Sequence, residues 1–102
     1  MSLPATRIGD ADIVHCDTPY RAQGSDNVFV NGIPWSLMSH LNTAHLLPCG
    51  VGCCIHRAPI AIGSDIVFVN GLGAGRIGDN VAGCTMVAEG SDNVFAGPNH
   101  GN

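Results

Sequence analysis

One segment of this chain occurs three times, and this repetition limits what its 102 residues can fold into. Residues 24–32 read Gly-Ser-Asp-Asn-Val-Phe-Val-Asn-Gly, residues 63–71 repeat them with one change, and residues 90–97 are a truncated copy. The phenylalanines of the protein all occupy one position of this unit, as Phe29, Phe68 and Phe95. A short repeated unit cannot bury its apolar side alone, so we expect the copies to pack against one another.

Each copy predicts a β-hairpin. The Gly-Ser-Asp start favours a turn, Val-Phe-Val is typical of a short strand, and the Asn-Gly pairs at 31–32 and 70–71 predict tight hairpin turns. The segments that follow also match, because residues 4–10 resemble residues 73–79 and residues 34–40 keep their length. We therefore predict an all-β fold, a small cone of three pseudo-threefold hairpin repeats. The first unit would be cut short at its start and the last at its end, with the phenylalanines in a shared core.

Composition narrows the function classes. Four arginines, no lysine and a net charge of −4 argue against a nucleic-acid partner, whose phosphates need many cationic contacts. Fourteen glycines and six prolines argue against a coiled coil. No apolar run approaches the roughly 20 residues of a membrane span, and the N-terminus does not resemble a secretory signal peptide. We predict one domain over residues 1–97 and a short tail over 98–102, in which His100 is solvated.

Cysteine and histidine are unusually frequent, with five residues of each kind. An odd number of cysteines without a signal peptide argues against a disulfide framework. Cys53 and Cys54 are adjacent and seldom bridge to each other without strain, so we expect free thiols. Metal ligation is the competing explanation for this composition.

The repeat register predicts where a metal would bind. Asp10, His40 and Asp79 occupy equivalent positions, and five residues after them stand His15, His45 and Cys84. If the units surround a pseudo-threefold axis, these three side chains converge on it. A closed zinc site needs a fourth ligand.

We expect His56 to be this fourth ligand, because the insertion at residues 41–58 delivers it just before the second repeat. The site would then hold one Zn²⁺ per chain. The cysteines near the ligands remain alternatives for the fourth position, namely Cys16, Cys49, Cys53 and Cys54. The alignment of His40 with two aspartates favours a turn or capping role for it.

The repeated Gly-Ser-Asp-x-Val-Phe-Val-Asn-Gly units, the Pro-Ala-x-Arg-Ile-Gly-Asp segment and the ligand positions together resemble the PAAR-repeat proteins, over about residues 3–97. The middle unit departs from that pattern at Trp35, Leu37 and His40. The resemblance implies a sharpened, zinc-stabilised tip that caps a trimeric β-helical spike, one copy per trimer, in a contractile phage tail or a type VI secretion system. It further implies assembly in the bacterial cytoplasm, transient contact with a target membrane and the option of a non-covalently docked cargo protein.

Two other function classes remain open. A zinc hydrolase would need an open coordination position and a general base, and Glu89 is the only glutamate of the chain. We therefore expect no enzymatic activity. A small zinc-stabilised protein-binding module unrelated to spikes is the second alternative. Outside the metal site, Arg7 with Asp10 and Arg76 with Asp79 are expected to form local ion pairs.

Overall fold

The computed structural model describes residues 2–98, and within that range every regular element is a short strand in an antiparallel pair. The longest strands have five residues, and no helix occurs in this part of the chain. The dimensions are 40 × 29 × 24 Å, consistent with the predicted small all-β cone. In chain order the strands are β1 (Leu3–Pro4), β2 (Phe29–Val30), β3 (Ile33–Pro34), β4 (His45–Cys49), β5 (Gly52–His56), β6 (Phe68–Val69), β7 (Leu72–Gly73), β8 (Asn80–Val81), β9 (Thr85–Met86) and β10 (Phe95–Ala96).

The Asn-Gly pairs form the predicted hairpin turns. Strand β2 pairs with β3, and β6 pairs with β7. In the first turn Asn31 and Gly32 have φ angles of 55° and 78°, and in the second Asn70 and Gly71 have 54° and 82°. Two successive residues with positive φ give a turn whose twist matches that of the flanking strands, which is why Asn-Gly is favoured here.

The first of the three units, which carries Arg7, is built from both ends of the chain. Strand β1 pairs with β10, so Leu3 faces Ala96 and Pro4 faces Phe95. The N-terminal segment therefore supplies the returning strand that the third repeat lacks. The two incomplete units of the sequence combine into one, and the ring of three closes.

Backbone hydrogen bonds mark the pseudo-threefold axis. Thr6 N donates to Gly75 O (3.0 Å), Gly75 N donates to Ser36 O (3.0 Å), and Ser36 N donates to Thr6 O (2.9 Å). The three residues, which we call the axial ring, occupy equivalent repeat positions and are all buried. A Cβ at Gly75 would overlap the Ser36 carbonyl oxygen, so the ring requires glycine there.

Side chains close a second cycle between the units. Each hairpin end contacts the serine of a neighbouring Gly-Ser-Asp turn, in the pairs Asn31–Ser91, Asn70–Ser25 and Gly97–Ser64. With the units numbered by the segments that contain Thr6, Ser36 and Gly75, the second unit thus contacts the first, the third contacts the second, and the first contacts the third. A single chain reproduces the contacts of a cyclic trimer.

The prediction that the phenylalanines form the core is wrong. Phe29, Phe68 and Phe95 are 54%, 60% and 51% exposed, whereas the residue after each of them is buried. Successive side chains of a strand point to opposite sides, so only one residue of each two-residue strand can face the core. The smaller residues take the inward position, and the core is completed by Trp35, whose Nε1 donates to Gly75 O at 2.9 Å.

The insertion at residues 41–58 forms a hairpin of its own. Strands β4 and β5 pair over five residues, with His45 opposite His56. Cross-strand partners point to the same face, so this register brings the two imidazoles together.

Two disulfides hold this hairpin, so the predictions that the chain has no disulfide framework and that Cys53 and Cys54 are free thiols are wrong. Cys16 is bonded to Cys53, and Cys49 is bonded to Cys54. The vicinal pair does not bridge to itself, as expected. Because Cys53 and Cys54 are neighbours on β5, their side chains leave opposite faces and reach different partners.

Candidate metal centre

Four side chains from separate parts of the chain meet beside the β4–β5 hairpin. His15 follows the repeat segment of residues 4–10, and Cys84 lies in the turn between β8 and β9. His45 begins β4, and His56 ends β5. Their ligating atoms all lie within 4.8 Å of one another. The structure thus brings together the three residues that the repeat register predicted and His56, which the insertion was expected to supply; we call these four residues the His₃Cys cluster.

The atoms of the cluster are in close contact. His45 Nε2 lies 3.1 Å from His15 Nε2, 2.8 Å from His56 Nε2 and 3.3 Å from Cys84 Sγ. Cys84 Sγ in turn lies 3.1 Å from His15 Nε2 and 3.2 Å from His56 Nε2. Ligands about 2.0–2.3 Å from a tetrahedral metal are separated by roughly 3.3–3.7 Å, so the spacing is close to that of a four-coordinate site.

The hydrogen bond of His45 fixes which nitrogen faces the cluster as an acceptor. Its Nδ1 lies 2.6 Å from the carbonyl oxygen of Thr43, which can only accept, so Nδ1 carries the proton. In the uncharged form of the ring, Nε2 then presents its lone pair toward three other nitrogen or sulfur atoms. At most one neighbour can donate to that lone pair, so hydrogen bonding alone does not satisfy the arrangement, whereas a cation at its centre would.

The surroundings of His56 favour its neutral form. Burial, followed by the charges of His45 and His15, lowers the pKa of His56. Burial also raises the pKa of the Cys84 thiol, with the Asp12 carboxylate adding to this and the Asn42 amide opposing it. The thiol is therefore protonated at neutral pH unless a bound cation stabilises the thiolate. The cluster could hold a metal ion, and its donor set of three nitrogens and one sulfur fits that role.

The disulfides remove the alternatives for the fourth ligand. Two disulfides take up four of the cysteines, Cys16 with Cys53 and Cys49 with Cys54. Among the described residues, Cys84 is the free cysteine. A sulfur in a disulfide is not a thiolate and does not ligate a metal in the way a free cysteine does. His56 therefore remains as the fourth donor.

A buried ion pair between Asp12 and Arg21 is connected to the cluster through Asn42. Asp12 Oδ2 accepts hydrogen bonds from Arg21 Nη2 (2.9 Å) and Asn42 Nδ2 (3.0 Å), and the Asp12–Arg21 pair is fully buried. Asn42 Nδ2 also lies 3.9 Å from Cys84 Sγ. Of the two aspartates near the ligands in sequence, Asp12 thus acts through Asn42, whereas the Asp17 carboxylate accepts from the Thr18 N–H.

Sequence reasoning missed Asn42 and Arg21. The signal for Asn42 was present, because it follows His40 by two residues just as Asp12 follows Asp10 and Val81 follows Asp79. These three positions are all buried, and Asn42 donates to Asp12. No comparable pattern identifies Arg21, because its equivalents in the other units are apolar.

The other candidates have structural roles. His40 Nδ1 accepts from Leu37 N at 3.0 Å, as the Asp10 and Asp79 carboxylates accept from the N–H of Arg7 and Arg76, so the predicted capping role is confirmed. Both predicted arginine–aspartate pairs form. His100 lies outside the described residues.

Comparisons with known proteins do not assign the chain to a family. A scan against family models and a search of curated proteins both find no match. Among the described residues, no helix is long and apolar enough to cross a membrane.

Proposed function

We propose that this protein is a structural tip that caps the end of a trimeric β-helical spike, one copy per trimer, and that Zn²⁺ bound by the His₃Cys cluster stabilises its apex. The observation that carries this proposal is the closed pseudo-threefold ring formed by a single chain. A monomer with this internal symmetry presents three similar surfaces, which suits a partner with three identical chains. The PAAR-like repeats of the sequence support the same reading.

The exposed phenylalanines provide a surface for such a partner. Phe29, Phe68 and Phe95 are related by the axis and are each more than half exposed. They lie in the three hairpins, which we call the hairpin layer. Along each repeat segment, the residue of the axial ring stands between the hairpin and the position of the metal ligand. An apolar surface repeated around one axis is typical of a protein contact rather than of solvent exposure. We infer that the hairpin layer faces the spike and that the cluster lies toward the point.

Zinc is the metal that the donor set favours. Imidazole nitrogen and thiolate are preferred zinc ligands, and four protein donors are typical of a structural site. A catalytic zinc site keeps one position open for water, so this arrangement favours a structural role over hydrolysis. When bound, the metal would supply folding free energy to a domain whose strands are too short to be stable alone.

The setting of the proposed tip is a contractile phage tail or a type VI secretion spike. The chain would assemble in the bacterial cytoplasm, be carried outward on the spike and contact a target membrane transiently, with a non-covalent cargo protein as a further partner. Disulfides persist in oxidising compartments, so the two beside the cluster fit a point that becomes exposed outside the cytoplasm.

The test is binding to a trimeric β-helical spike fragment, measured by native mass spectrometry. We expect one copy of this chain per three spike chains. Phe68→Ser should weaken the complex, whereas Ile66→Ser is the matched control, because Ile66 is 63% exposed but has no apolar equivalent in the other units. Absence of a complex at micromolar concentrations would refute the tip proposal and leave the zinc-stabilised binding module. Elemental analysis of the purified chain, expected to give one zinc per molecule, tests the metal separately.

A further inference from the structure

The second unit differs from the other two at the position where they carry an arginine. In the first of these, Arg7 binds the Asp10 carboxylate through Nε and Nη2 and the Asn31 side-chain oxygen through Nη1. The equivalent Arg76 binds Asp79 in the same way. The second unit has Leu37 there instead, and this side chain is buried in the core.

The acidic surroundings of the arginine are nevertheless kept in the second unit. The hydrogen bond to Asp10 is the largest cause that raises the pKa of Arg7, and the negative charge of Asp92 adds a smaller contribution. Asp92 belongs to the Gly-Ser-Asp turn next to Asn31, and its equivalent beside Asn70 is Asp26. The partners of a guanidinium are thus repeated as Asp26 and Asn70.

A pocket of about 280 Å³ lies at this place. Its lining includes Asp26, Leu37, His40, Asn70 and Leu72. Because Leu37 turns into the core, the space beside Asn70 that corresponds to the one Arg7 fills beside Asn31 is open. The pocket therefore follows from the arginine-to-leucine difference at this position of the repeats.

Two acceptors of the pocket, the Asn70 side-chain oxygen and the Asp26 carboxylate, have no cationic partner among the described residues. Asn70 Nδ2 donates to Ser25 Oγ (3.0 Å) and Asn27 Oδ1 (2.9 Å), while no described residue donates to the Asn70 oxygen. The equivalent oxygen of Asn31 accepts from Arg7 of the first unit. His40 occupies the place of the aspartate, and burial, followed by the charge of Arg21, lowers its pKa, so the ring is neutral. Asp26 is left as the charged group of the pocket.

We propose that this pocket binds the guanidinium group of an arginine side chain presented by a partner protein. The incoming guanidinium would take the position that Arg7 holds in its unit, with the Asp26 carboxylate and the Asn70 oxygen as acceptors and Leu72 against its aliphatic stem. Arginine suits the site because its planar fork donates to two acceptors at once. This inference rests on the repeat geometry and stands independently of the spike proposal and of the metal.

The test uses N-acetyl-arginine amide as the probe and amide chemical shifts of the ¹⁵N-labelled protein as the readout. We expect saturable shifts, in the millimolar range for one exposed contact, at residues 25–26, 40 and 70–72. N-acetyl-citrulline amide has the same shape without the charge and is the matched ligand control. Equal shifts with the citrulline probe, or no shifts at these residues with the arginine probe, would overturn the proposal.

Variants locate the binding on the molecule. Asp26→Asn should weaken binding about three- to fivefold, the range for a solvent-exposed ion pair. Asp65→Asn is the control, because Asp65 is the equivalent turn residue in the unit next to Arg76 and should leave the affinity unchanged. The double variant Leu37→Arg with His40→Asp restores the pattern of the other units. The guanidinium of the arginine introduced at position 37 should then fill the pocket and abolish probe binding. Equal weakening by the two aspartate variants would contradict the assignment.

Discussion

The two equivalent ion pairs of this protein should differ strongly in their effect on stability. Arg76 and Asp79 are completely buried, and the guanidinium binds the carboxylate twice and also the carbonyl oxygens of Ala96 and Pro98. The pair of Arg7 and Asp10 retains 18% and 12% side-chain exposure. Removing the cation of a buried pair leaves an uncompensated charge, whereas removing one of a solvated pair leaves a charge that water can reach.

The structure gives the expected magnitudes. Arg76→Leu should lower the free energy of unfolding by about 3–5 kcal/mol, because the Asp79 carboxylate stays buried after losing the Arg76 guanidinium. Arg7→Leu should cost about 1 kcal/mol. The double variant Arg76→Leu with Asp79→His copies the second unit, where Leu37 and His40 occupy these positions. This variant removes both buried charges and loses mainly the hydrogen bonds to the Ala96 and Pro98 carbonyl oxygens. It should therefore lower the free energy of unfolding by only about 1–2 kcal/mol.

The assay is urea unfolding of the oxidised, metal-loaded protein, followed by intrinsic fluorescence of Trp35. Urea leaves ion pairs unscreened, and the slope of the transition checks that the exposed surface on unfolding is unchanged. Equal losses for Arg76→Leu and Arg7→Leu would refute the argument from burial. A double variant less stable than the single one would refute the argument that the second unit shows a tolerated replacement.

Three further predictions concern the cluster, the core and the disulfides. Removing the metal with a chelator should lower the thermal midpoint, measured by calorimetry, and added Zn²⁺ should restore it; acid should release the metal, because the ligands must be deprotonated to bind. Phe68→Ala should cost less than about 1 kcal/mol in urea unfolding, whereas Val69→Ala should cost about 2 kcal/mol, and the reverse order would place the phenylalanine in the core. Replacing Cys16 and Cys53 by serine should cost more stability, about 4 kcal/mol, than opening the shorter loop closed by the other disulfide, at about 2 kcal/mol; equal losses would argue against loop length as the cause.

The sequence predicted the hairpin units, their turns and the members of the cluster. The repeats align without gaps from the axial ring to the ligands, so equivalent residues had to reach equivalent places around any shared axis. His15, His45 and Cys84 follow from that register alone. Their convergence did not require knowledge of packing.

Other features depended on contacts between distant segments. The sequence shows two truncated units, but only the folded chain pairs β1 with β10 and makes them one. In a strand of two residues, the alternation of side chains does not show which residue faces the core. The structure shows that Val69 faces inward and Phe68 faces outward.

Sequence by itself determined the threefold repetition, the Asn-Gly turns and the ligand register, because these depend on local conformation and on repeated spacing. Tertiary structure decided the disulfide partners, the buried network of Asp12, Arg21 and Asn42, and the pocket beside Leu37. Each of these depends on which side of a strand a residue faces and on what another unit places opposite it. Spacing along one chain does not contain that information until the ring has closed.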